Sequence, residues 1–118
     1  MNIEPSELKE PPQWLTQVKE HIDKQYCERL FLADLAAIAD VHPVYLARVF
    51  RSHYGLSINK YLLGLRLEHA RKLLGSGEMP LSDIAAETGF CDQGHFSKNF
   101  KRFYGVSPGE YRKAVQSR

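Results

Sequence analysis

Arg48 and Arg51 stand three residues apart, and so do Lys98 and Lys101. On a helix that spacing puts both cations of a pair on one face, where they suit an extended anion. The stretches that carry them, VYLARVFRSHYGLS and GHFSKNFKRFYGVS, begin fifty residues apart. Each runs Leu or aromatic, base, Phe, base, then Tyr-Gly and a Ser. The overall charge of +2 hides a strong asymmetry. Residues 1–43 hold four Lys/Arg against eight Asp/Glu, and residues 44–118 hold twelve against six. The basic part points to a polyanionic partner.

Other chemistry is poorly supported. The five histidines (His21, His42, His53, His69, His95) contain no pair at the helical spacing of metal ligands, and Cys27 and Cys91 form no Cys-x-x-Cys, so no metal and no cofactor is expected. Gly105–Gly109 spells Gly-x-Ser-x-Gly, but a nucleophile elbow needs a strand before it and a parallel sheet around it. Here a helical pattern precedes it, and Ser107 with Pro108 and Glu110 reads as a capping box instead. No catalytic residue is assigned, and the chain is read as a non-enzyme. Two unpaired cysteines fit a reducing, cytoplasmic setting. No run of 18 apolar residues exists and the N-terminus has no apolar signal core, so no membrane partner is expected.

The elements that must position the basic residues are helical throughout. Residues 1–12, with three prolines, read as a disordered lead or a linker remnant. Leu15, Val18, Ile22 and Tyr26 recur at steps of three or four, marking a first helix from Trp14. A short apolar helix follows at Leu32–Ala39, with Leu32, Leu35, Ala36 and Ala39 on one face. Residues 44–54 form a third, stopped by Gly55. Ser57 caps a long helix over 58 to about 74, whose two apolar stripes predict cover on more than one side. The pattern then restarts: a short helix at 81–88, a longer one from Asp92 or Gln93 to Tyr104 stopped by Gly105, and a last one opening at Ser107-Pro108. The fold class is all-α, with seven helices.

At an offset of 49, Leu32, Asp34, Ala36 and Ala37 meet Leu81, Asp83, Ala85 and Ala86. At an offset of 50, Phe50, Tyr54, Gly55, Ser57 and Tyr61 meet Phe100, Tyr104, Gly105, Ser107 and Tyr111. The one-residue shift falls in a turn, where insertion is tolerated. Each repeat is a helix, a tight turn and a second helix. Ala36 and Ala85 allow the close crossing, and Asp40 and Gly89 supply the left-handed turn residue. Leu46, Val49 and Phe50 should point inward, as should Phe96, Phe100 and Phe103. Val44, Ala47, Arg48 and Arg51 then lie on the opposite face, and Gln93, Gly94, Ser97, Lys98 and Lys101 on that of the second helix. These are helix-turn-helix units.

From Trp14 to Lys113 the chain resembles the DNA-binding domain of AraC/XylS-type bacterial transcription regulators, most closely in PLSDIAAETGFCDQGHFSKNFKRFYGVSPGEYR. The resemblance implies two helix-turn-helix subdomains, 13–56 and 76–116, joined by a linker helix at 57–75 in a homeodomain-like arrangement. It makes 44–54 and 93–104 the recognition helices and double-stranded DNA the partner. By the same mapping, DNA contacts fall at Val44, Ala47 and Arg48, and at Gln93, Gly94, His95, Ser97 and Lys98. Arg48 suits guanine O6 and N7, and Gln93 suits adenine. Arg51, Lys98, Lys101, Arg102 and Ser97 suit phosphates. Ala47 and Gly94 are short for base reading, so DNA shape is expected to contribute. Family resemblance further implies activation, with RNA polymerase as a partner and any effector ligand bound by a domain outside this chain. The competing reading is a helical protein-interaction module that turns the same basic faces toward an acidic protein.

Overall fold

The computed structural model describes residues 10–117. It holds seven α-helices: α1 (Gln13–Gln25), α2 (Leu32–Ala39), α3 (Pro43–Tyr54), α4 (Ile58–Ser76), α5 (Leu81–Glu87), α6 (Gln93–Tyr104) and α7 (Pro108–Gln116). No strand occurs among the described residues, and none of these helices is long and apolar enough to cross a membrane. The lead expected at residues 1–12 lies outside the described residues for its first nine positions. Pro12 serves as the N-cap of α1.

The chain forms two compact units, one ending at Leu63 and the other beginning at Gly64, so the boundary falls within α4. In the first unit α1 buries Leu15, Val18 and Ile22, α2 buries Leu35 and Ala36, and α3 buries Leu46, Val49 and Phe50. Ile58 and Leu62, at the start of α4, complete this core. The second unit is built from Leu67, Ala70 and Leu74 of α4, Ile84 and Ala85 of α5, Phe90, and Phe96 and Phe100 of α6. The spacing of Leu67, Ala70 and Leu74 repeats that of Leu15, Val18 and Ile22. The second stretch of α4 therefore plays in its unit the part α1 plays in the first. The duplication is larger than two helices and a turn.

Each turn between α2 and α3, or α5 and α6, closes by the same hydrogen bonds. Asp40 adopts φ 54° and ψ 46°, the left-handed region expected of it. Its N–H donates to Ala37 O at 3.2 Å, and the Val41 N–H reaches back to Ala36 O at 3.1 Å. In the second unit Gly89 has φ 94°, and the Gly89 and Phe90 N–H groups donate to Ala86 O at 3.3 Å and Ala85 O at 2.9 Å. This double closure satisfies carbonyls left over at a helix end. Gly55 (φ 79°) and Gly105 (φ 84°) stop α3 and α6 in the same backbone region.

Polar clusters tie helices together within each unit. In the first unit Lys19 pairs with Asp23 at 3.1 Å, the Tyr61 hydroxyl donates to the Asp23 carboxylate, and the Lys19 ammonium lies 5.4 Å from the Tyr61 ring centroid. In the second unit Arg71 grips Glu68 through Nε at 3.0 Å and a terminal nitrogen at 2.6 Å. Its other nitrogen donates to the Tyr111 hydroxyl at 3.1 Å, and the Tyr104 hydroxyl donates to Glu68 at 3.3 Å. Burial foremost pushes the Tyr61 and Tyr104 phenols above their ordinary range.

Two expected core positions are corrected. Phe103 is 57 % exposed, and its ring meets that of Tyr104 in a T-shaped pair 4.9 Å between centroids. It shares the heptad phase of Phe96, but it sits in the last turn of α6, where the buried stripe has already ended at Phe100. Leu32 is likewise 39 % exposed, because it is the first residue of α2 and the buried pair begins one turn later, at Leu35 and Ala36.

Candidate nucleic-acid interface

An α-helix offers free N–H groups at its start, so what caps α3 and α6 decides how each begins. The side chain of His42 accepts from the Val44 N–H at 3.2 Å, and Pro43 occupies the first helical position. Asp92 accepts from the His95 N–H at 2.7 Å. Asp92 belongs to the usual capping residues and was legible as a helix start. His42 does not, and nothing in the sequence marked it.

From those starts two stripes run along the helices. Val44, Ala47, Arg48 and Arg51 stand at i, i+3, i+4 and i+7, and so do Gly94, Ser97, Lys98 and Lys101. Each member of the first set lies fifty residues before its counterpart. Their burial repeats as well: the first, third and fourth positions are exposed and the second is half-buried in both helices. Val44 reaches 60 % exposure, high for a branched apolar side chain in a helical unit with its own core.

Ala47 is drawn to one side of its stripe. It lines a shallow concavity of about 140 Å³ with Leu30, Leu32, Leu35, Ile58 and Leu62. Arg51 borders a smaller one with Lys60, Gly55 and Ser57, which puts a second cation beside the end of the stripe. On α6, Gln93 and His95 are exposed and flank Gly94. The His95 ring meets Phe90 edge-on at 5.6 Å between centroids, and its carbonyl accepts from the Asn99 side chain at 2.8 Å. A Cβ on Gly94 would meet Asp92 Oδ1 at 3.4 Å, ordinary contact, so space does not demand glycine there.

The charge of the fourth position of the second stripe, Lys101, is felt at the start of α7. Ser107 caps α7 by accepting from the Glu110 N–H at 3.1 Å, while the Glu110 carboxylate accepts from the Ser107 N–H at 3.2 Å. These hydrogen bonds, with the charge of Lys101, hold the Glu110 carboxyl below its usual range. Ser107 is thus occupied as a cap. Among the described residues no group of three His, Cys, Asp or Glu is placed to hold a metal ion.

The arrangement has counterparts. A family model described as a helix-turn-helix domain matches residues 35–114. The Msm operon regulatory protein of Streptococcus mutans is 35 % identical over 104 residues, covering 88 % of this chain and 37 % of that protein. The chain thus spans little more than a third of that relative's length. The DNA-binding domain of AdpA, solved in complex with a target DNA, superposes with a TM-score of 0.84 at 26 % identity, covering 90 % of this chain and 96 % of that one. A Chromobacterium violaceum transcriptional regulator described by its AraC-type DNA-binding domain matches with a TM-score of 0.77 at 29 % identity over 86 % of this chain and 91 % of that one. With its doubled turn, its seven helices and these matches, the chain belongs to the AraC/XylS-type helix-turn-helix family.

Proposed function

We propose that the chain binds double-stranded DNA sequence-specifically and serves a transcription regulator that activates. The observation that carries the reading is the repeated stripe: two capped helices bear cations at the same two positions, with the same pattern of exposure, fifty residues apart. Residues in the first turns of such helices are the ones that reach base edges in a major groove. AdpA, whose DNA-binding domain shares this fold, was solved with its target DNA. RhaR of Yersinia pseudotuberculosis, 46 % identical over 67 residues, is an HTH-type transcriptional activator.

Val44, Arg48 and Gln93 read bases in this scheme. Arg51, Ser97, Lys98, Lys101 and Arg102 hold phosphates, and His95 lies at the DNA face. Ala47 and Gly94 present no long polar group, and DNA shape supplies specificity there. Because the stripes differ in sequence, α3 and α6 read different bases, and one chain takes two successive major-groove segments. Activation adds RNA polymerase as a partner, and any effector binds a domain outside this chain. The whole acts in the cytoplasm without catalysis.

Selection from random duplexes tests the proposal. It should return a defined site bound about 10³-fold or more above random duplex, with affinity falling steeply as salt rises. Binding that ignores sequence, or that prefers an acidic protein to any duplex, would return the chain to the protein-interaction reading.

A further inference from the structure

His42 and Asp92 occupy equivalent positions, fifty residues apart, and each is the N-cap of its helix. They cap differently. Asp92 accepts through a carboxylate oxygen, leaving an anion at the start of α6. His42 accepts through ring Nδ1 from the Val44 N–H. A ring nitrogen that accepts carries no proton, so the proton of the neutral imidazole is on Nε2. Nε2 lies across the ring from the cap, and the residue is exposed. The neutral ring thereby carries its N–H donor at the exposed first turn of α3, beside the exposed Val44.

The backbone makes that donor matter. Pro43 has no N–H, and the Val44 N–H is taken by the cap. The first two backbone donors with which a helix start ordinarily meets an anion are therefore missing from α3. In α6 the corresponding N–H groups belong to Gln93 and Gly94, but the Asp92 carboxylate stands beside them. One helix replaces its lost donors with an imidazole, and the other keeps them next to a negative charge.

We propose that His42 is a phosphate-contacting residue whose Nε2–H donates to the DNA backbone, docking the N-terminal end of α3. Asp92 withholds the same contact from α6. The inference rests on the DNA reading above and adds a residue that the stripes do not contain. The contact carries no base information, because every nucleotide offers the same oxygens.

His42→Asn and His42→Ser provide the test. Both side chains cap helices well, so the Val44 N–H keeps an acceptor, but both are too short to reach where Nε2 reaches. Each variant should unfold at or above the wild-type temperature and lose roughly tenfold in affinity on every duplex, selected or random, as expected for one hydrogen bond to a charged group. Asp92→Asn, which removes the charge and keeps the cap, should bind every duplex more tightly than wild type. Nitrogen NMR of the free chain should show the His42 proton on Nε2. Wild-type affinity in both His42 variants, a loss confined to one base position, or a proton on Nδ1 would overturn the assignment. An unsubstituted chain that binds no duplex sinks the DNA reading itself, a result told apart by needing no variant.

Discussion

At the scale of single residues, the proposed DNA reading separates side chains of the doubled stripe that read from those that hold. Arg48 has two parallel donors in a rigid fork, and Lys101 has one compact charge on a flexible stem. Arg48→Ala should cost about 1–3 kcal/mol at one base position of the selected site and relax the preference there. Lys101→Ala should weaken binding to all duplexes alike. Competition assays across single-base variants of the site distinguish the two, and a uniform loss for Arg48→Ala would move it to the phosphates. Ala47 and Gly94 behave differently despite both being short. Ala47 is half-buried beside the apolar concavity lined by residues of α2 and α4, so a longer side chain there has that concavity to enter. Gly94 has open space toward solvent and only Asp92 Oδ1 nearby.

At the scale of elements, glycines with different backbone angles should respond oppositely to the same change. Gly89 sits at φ 94° in the turn before α6, so Gly89→Ala should destabilise the second unit by about 1–2 kcal/mol. Gly94 is helical, and Gly94→Ala should stabilise by about 0.5–1 kcal/mol. Chemical denaturation of the two variants measures both, and a shift of the same sign in each would contradict the backbone assignment. Acid should act on the same unit. Hydrogen bonds from Arg71 hold the Glu68 carboxyl below its usual range, and those with Ser107 hold Glu110 below it. A carboxyl depressed by folding contributes stability that is complete above its unfolded value, about 4.3, and is lost as pH falls through the folded one. The unfolding temperature should therefore drop on acidification below about pH 4, with a shallower fall in Glu110→Gln, whose amide oxygen still accepts from the Ser107 N–H. Much of this framework was legible in the sequence: Asp40 in its left-handed turn, the Ser107–Glu110 box and the glycine stops all follow from residue types at fixed offsets. The rest depended on neighbours. The sequence pattern ends the long helix near residue 74, yet α4 continues through Gly75 to Ser76, and a Cβ on Gly75 would meet Val115 Cγ1 of α7 at 3.4 Å, an ordinary contact. Phe103 kept the period of the core after the core had ended. His42 caps through a ring nitrogen, a role that no composition rule assigns to histidine.

At the scale of the whole molecule, the charge asymmetry looks different once the units are known. Cutting at residue 43 splits the first unit and exaggerates the contrast. By units, the chain to Leu63 holds seven Lys/Arg against eight Asp/Glu, and the chain from Gly64 holds nine against six. On the proposed DNA reading, the near-neutral unit with two arginines in its stripe should rely most on directed hydrogen bonds, and the more basic unit on counterion release. Each half of the DNA site should then answer to one unit in its own way. Substitutions in the α3 stripe should change base preference in one half of the selected site and leave the other half intact, and substitutions in the α6 stripe should do the converse. Since the two stripes share positions but not side chains, the site should have no dyad and should bind one chain per duplex. Neutralising Lys98 and Lys101 should lower the slope of log affinity against log salt by about one for each charge, more than Arg48→Ala does if that guanidinium is spent on a base. Salt titrations on the selected duplex, with stoichiometry from sedimentation, decide the matter: a palindromic site holding two chains would assign the doubled reading to a dimer and leave the internal repeat without this role.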